Sequence, residues 1–304
     1  MGDHTNEVQL IANQGWDERI LVCRNGRLVD TFIVATRRYV ILVDTLINPQ
    51  TAQMMLSFAR AYLDECQLLV INSHADYDHA WGNQLFAGPA AAFPAPIIAS
   101  RLCAEQFRLP EAEFYLKERQ ANEPDIFGLV SLTPPTLLFE ERLIIDGGDL
   151  TLELFATPGH TPDHISIYIP EIRTLLAADG AELPFPFARM VDGLPLMRQS
   201  LARMAALNPA VALYCHAPVT IGPQLLLDNI AYFDKVEEHC RAALAGGAPA
   251  HPAESEDVIA LVGLPFEEAV PQGGDWQAVP DFYRREGHAQ QIRMMLEYLA
   301  GENA

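Results

Sequence analysis

Residues 70–83 read VINSHADYDHAWGN. An apolar run stops abruptly, and four potential metal ligands, His74, Asp76, Asp78 and His79, follow it at once. The end of a buried strand fixes side chains well, and the turn after it opens room for a coordination sphere. Imidazole and carboxylate together suit zinc, iron or manganese.

Three further places repeat the pattern of an apolar run that opens into a turn with a ligand. They are TPGHTPDH with His160, LLAADG with Asp179 and LYCHAP with His216. Two ions sharing one aspartate need about this many ligands.

Outward from the motif, RILVCRN, LVDTFIVAT and YVILVDT are predicted strands separated by turn signals. NPQTAQMMLSFARAYL is a predicted helix with Asn48 and Pro49 at its start. QLLVINSH is a buried strand ending in the motif, and HAWGNQLFAG is the expected start of the next helix. The stretch from Pro110 to Pro135 is a partly helical insertion. Strands resume at RLIIDGG, LTLELFATPG, HISIYIP and TLLAADG, and AVALYCHAP is the last of them. Strands and helices alternate in two similar halves, as an α/β chain requires. The Gly/Pro-rich AGGAPAHPAESE divides an expected domain at 1–245 from a helical extension at 246–304, which packs on that domain or on a dimer partner.

With this order of residues, the chain resembles the metallo-β-lactamase superfamily of hydrolases. That family's motif is H-x-H-x-D-H, followed by a distant histidine, an aspartate and a final histidine. The match here runs His74, Asp76, Asp78, His79, His160, Asp179 and His216. The resemblance implies a four-layer αβ/βα sandwich of two mixed β-sheets flanked by helices, with the site along one edge. It also implies that His74, Asp76 and His160 hold one metal and Asp78, His79 and His216 a second, with Asp179 bridging. A metal-bridging hydroxide would be the nucleophile, oriented by Asp78 as the catalytic carboxylate.

Asp76 departs from the family, which usually has histidine there, or glutamate in the flavodiiron proteins of the same fold. Aspartate can ligate directly and favour iron or manganese, act through a water, or miss the metal. Tyr77 and His164 are candidates for a place behind the ligands or facing substrate; the plainer alternatives are packing for Tyr77 and a polar residue entering a strand for His164. His4, His239, His251 and His288 fall in terminal or helical segments and read as surface residues.

The chain has 304 residues, half of them hydrophobic, and a formal net charge of −20. That field repels phosphate backbones and anionic membranes, so no nucleic-acid or membrane partner is expected. Five scattered cysteines form no metal or disulfide pattern. Neither a signal peptide nor a membrane span is visible, and a cytoplasmic location is expected. The expected function is hydrolysis of an ester, lactone, thioester or amide-like bond in a small molecule, with two divalent ions, zinc ahead of iron or manganese. Two rivals stand beside it: an iron-dependent oxidoreductase of the flavodiiron or sulfur-dioxygenase kind, and a non-catalytic binding protein.

Overall fold

A computed structural model describes residues 4–63, 66–89, 91–271 and 279–302. The chain forms two compact units, one of Met1–Ala156 with Asp163–Ala178, the other of Thr157–Pro162 with Asp179–Ala304. Among the described residues, the strands make two sheets, of seven and six strands.

The first sheet runs in sequence order: β1 Val8–Ile11, β2 Ile20–Asn25, β3 Val29–Ala35, β4 Tyr39–Val43, β5 Gln67–Ile71, β6 Ile97–Ser100 and β7 Leu137–Phe139. Its first three pairings are antiparallel and the remaining three parallel. β3 is buried along its whole length, and β4 nearly so. Continuous apolar runs such as YVILV suit strands covered on both faces. The second sheet runs β13-β12-β11-β10-β9-β8. These strands are β8 Arg142–Asp146, β9 Thr151–Ala156, β10 Ile165–Ile169, β11 Thr174–Ala178, β12 Val211–Tyr214 and β13 Thr220–Ile221.

The helix Pro49–Ala59 begins where its sequence signals it. Asn48 accepts from Thr51 N, the Thr51 hydroxyl accepts from Asn48 N, and Pro49 occupies the first turn. The insertion supplies helices Pro110–Asn122 and Pro124–Phe127. HAWGNQLFAG differs from expectation. The helical turn Tyr77–Ala80 ends inside it, and a 3-10 turn follows at Asn83–Leu85. Between them a Cβ on Gly82 would lie 2.1 Å from Thr45 O and 2.7 Å from Ala52 Cβ, so the chain passes flat against its neighbour there.

Beyond the long helix Gln224–Ala245, the chain continues through short helices at Val258–Val262 and Phe266–Ala269 to the helix His288–Glu302. His288 is not a surface residue but fully buried, held by Tyr232 Oη at 2.9 Å and Leu264 O at 2.9 Å. An aromatic neighbourhood and two polar partners satisfy an imidazole whose sequence position alone suggests exposure. His4 is likewise packed, with its side chain only 2% exposed, against Glu123 and Tyr77. Among the described residues, no helix is long and apolar enough to cross a membrane.

Candidate metal centre

Strands β4 and β5 pair in parallel with Val43 opposite Ile71. The chain therefore leaves both strands at the same sheet end, and Asp44 N donates to Ile71 O at 2.7 Å. Asp44 has φ 68°, the left-handed region that aspartate tolerates better than most residues. Its buried carboxylate accepts from Ser73 N at 2.7 Å, Ser73 Oγ at 2.8 Å and His79 Nδ1 at 2.8 Å.

These contacts settle two tautomers. A carboxylate only accepts, so His79 carries a proton on Nδ1 and presents its lone pair on Nε2. The single Ser73 hydroxyl proton goes to Asp44. Its contact with His74 Nδ1 at 2.9 Å must therefore be an acceptance, and His74 also presents Nε2. Both imidazoles thus have the tautomer that a metal-binding histidine takes when a group behind it holds its Nδ1 proton.

The carboxylates of the loop stand beside those nitrogens. Asp76 Oδ2 is 3.3 Å from His74 Nε2, and Asp78 Oδ2 is 3.8 Å from His79 Nε2. Two ligands bonded at about 2.0–2.1 Å to one tetrahedral ion lie about 3.4 Å apart. The Asp76–His74 spacing fits that arrangement, and the donor set of buried imidazoles with a buried Asp78 and a partly exposed Asp76 fits a divalent transition metal.

The next segment steadies the loop. Asp163 Oδ2 accepts from Ala75 N at 2.9 Å, the Asp163 carbonyl accepts from Ser100 Oγ at 2.8 Å, and Ile165 N donates to Ser73 O at 2.9 Å. His164 is fully buried at the entry to β10, with its ring 5.2 Å from that of His74. Tyr77 turns into a cluster with Trp81, Tyr115 and Phe127, and the Arg119 guanidinium lies 5.1 Å over its ring. Burial, and then the charge of Asp78, push the Tyr77 phenol well above its usual range.

The candidate ligands of the second unit, His160, Asp179 and His216, follow β9, β11 and β12 in sequence. Gly159, at φ +146°, lets the PGH turn lie on the helix Gly193–Ala206, since a Cβ there would sit 2.4 Å from Met197 Cα. Ser200 Oγ donates to Pro158 O at 2.8 Å and pins the same turn. Asp179 follows β11, and its Oδ2 lies 3.6 Å from His160 Nε2 and 3.4 Å from His216 Nε2. One carboxylate oxygen facing two imidazole nitrogens is the arrangement a shared ligand needs. His160 and Asp179 are nearly fully buried, while the His216 side chain is 23% exposed. Among the described residues, Asp78 with His79 and, separately, His160 with Asp179 offer ligand atoms within 4.8 Å of each other.

Sequence reasoning passed over the supports. Asp44, Ser73, Asp163 and Glu182 are all buried polar residues. Ser73 had a signal, a hydroxyl at the end of an apolar run beside the predicted ligand His74; Asp44 ends an apolar run far from any predicted ligand, and Asp163 and Glu182 lie near predicted ligands but end no apolar run. Burial, and then the negative charge of Asp179, push the Glu182 carboxyl above its ordinary range.

A family model described as the metallo-beta-lactamase superfamily matches residues 24–216. The chain belongs to that superfamily of hydrolases. The hydroxyacylglutathione hydrolase of Hahella chejuensis is 30% identical over 155 residues, 48% of this chain and 60% of that protein. That of Mesorhizobium japonicum is 34% identical over 83 residues, 27% of this chain and 32% of that protein. The matched stretches thus span about a third to three fifths of these curated relatives. A metallo-beta-lactamase family protein from Thermus thermophilus, of known structure, superposes with a TM-score of 0.63 at 20% identity, over 98% of this chain and 94% of that one. At that identity the likeness speaks for the fold, which is the αβ/βα sandwich expected from the sequence.

Proposed function

We propose that the protein is a metal-dependent hydrolase that cleaves an acyl bond, a thioester or ester, in a small molecule. His74, Asp76 and His160 would hold one divalent ion and Asp78, His79 and His216 a second, with Asp179 available to both. The observation that carries this reading is the single Asp179 oxygen facing both His160 and His216. The thioester is favoured by the name of the relatives, hydroxyacylglutathione hydrolase.

Ions bound there would bring the pKa of water toward neutrality and polarise the scissile carbonyl. The protein's own groups do the rest. Asp44 and Ser73 keep His79 and His74 in the ligating tautomer. Asp78 orients the attacking water and takes its proton. The water oxygen joins the acyl carbon, the bond to sulfur or oxygen breaks, and the proton held by Asp78 passes to the leaving group.

The test is metal analysis of the purified protein together with a panel of S-acyl-glutathione, lactone, aryl ester, phosphodiester and β-lactam substrates. Two ions per chain with turnover of the thioester or ester is the expected result. Two irons with oxygen consumption and no acyl turnover would overturn it. That second reading, an iron-dependent oxidoreductase, is favoured by Asp76, a hard oxygen donor 3.3 Å from His74 Nε2. Asp76→His separates the two, because a hydrolase site gains zinc and keeps turnover while an iron site loses its oxygen chemistry.

A further inference from the structure

His160 uses its Nε2 edge toward Asp179, which leaves its Nδ1 edge pointing the other way. There, 3.7 Å off, stands Glu182 Oε1. Glu182 is 2% exposed, and no hydrogen bond reaches its Oε1. Its Oε2 accepts from the Tyr283 hydroxyl at 2.9 Å.

The carboxylate did not arrive there by accident of a loose loop. Asn229, on the helix Gln224–Ala245, accepts from Glu182 N at 3.1 Å and donates to Glu182 O at 2.9 Å. Phe185, three residues on, stacks on Tyr232 at 4.0 Å and meets the Tyr283 ring edge-on at 5.5 Å. A carboxylate this deeply buried is costly unless its charge is answered. Tyr283 answers one oxygen. The other faces an imidazole edge at a distance about 0.5 Å beyond the hydrogen-bond limit.

Resting on the reading of His160 as a metal ligand, we propose that Glu182 is the positioning residue of His160 and that Tyr283, from the C-terminal segment, holds Glu182 in place. Glu182 keeps the His160 proton on Nδ1 and so turns the Nε2 lone pair to the metal. Tyr283 lies 101 residues away in sequence. The helical tail thereby takes part in metal binding instead of only covering the fold.

The experiment measures zinc affinity of the full-length protein by competition with a chromophoric chelator, and the visible spectrum of the cobalt-substituted protein. Glu182→Gln keeps shape and removes charge. It is expected to weaken zinc binding by about 10–100-fold and to shift the cobalt spectrum, with the unfolding midpoint of the metal-free protein little changed. Tyr283→Phe shifts both readouts in the same direction by less. His160→Ala is the control. If His160→Ala loses metal while Glu182→Gln keeps native affinity and spectrum, the proposal is overturned and the ligand reading stands. If His160→Ala keeps native affinity, both fall together. Should Glu182→Gln fail to fold, Tyr283→Phe decides, and unchanged affinity and spectrum there overturn the proposal.

Discussion

The ligand-bearing regions of the two units are held by different means. In the loop His74–His79, support comes from polar groups fully committed to it: Asp44 accepts three hydrogen bonds, and Asp163 accepts one from Ala75 N. Around His160 and Asp179, support comes from close packing of Gly159 on a helix, from the hydrogen bond of Ser200 Oγ to Pro158 O, and from one buried carboxylate at longer range. The first arrangement is rigid because removing any acceptor strands a buried donor. The second depends on shape, so its geometry follows whatever packs behind it.

The largest effect is expected where the contrast disappears, at the ligands themselves. Asp179→Ala and His79→Ala each remove metal and hydrolysis together, with affinity falling by more than the roughly 100-fold that loss of an outer partner brings. Metal analysis after dialysis reads this, and native metal content in either variant would break the ligand assignment.

Next in size, Asp44→Ala tests the polar support. It leaves Ser73 N, Ser73 Oγ and His79 Nδ1 without their acceptor. We expect zinc affinity to drop about 10–100-fold. The metal-free protein should lose at least about 1–3 kcal/mol in urea unfolding. Gly159→Ala tests packing in the other region. A Cβ at φ +146° against Met197 costs about 1–3 kcal/mol in the same assay. Asp44→Ala should therefore alter tautomer and metal binding at once, whereas Gly159→Ala should act chiefly on stability. Equal effects of the two on metal affinity would erase the distinction between the regions.

The smallest effect is a pH dependence at a residue outside the candidate ligand set. Burial holds the His288 imidazole below its usual value of 6.5. The unfolded chain therefore takes up a proton before the folded one does. Stability is full above about pH 6.5 and is lost as pH falls through the lower folded value, by at most about 1.4 kcal/mol per pH unit. His288→Gln, which keeps a donor and an acceptor, should flatten that slope in thermal unfolding between pH 7 and 5. A wild-type slope retained in the variant would assign it to other groups.

Much of this was legible in the residue order. Apolar runs ending in His, Asp or a turn marked β5, β9, β11 and β12, because strand ends and ligands were contiguous in sequence. His288 and His4 were misread as exposed because a helical or terminal position carries no information about what packs on it. The interruption at Gly82 was hidden for the same reason, since the obstacle, Thr45 O, belongs to another strand end.

The sequence by itself determined the family, the α/β class and the ordered set His74, Asp76, Asp78, His79, His160, Asp179 and His216. Those features are local, or follow from the order of local features. Tertiary structure alone decided that Asp44 stands behind His79, that Ser73 and Asp44 choose the ring nitrogens, and that Glu182 and Tyr283 meet beside His160. Such pairings join residues far apart in the chain, and only parallel strand register and helix packing bring them to hydrogen-bonding distance.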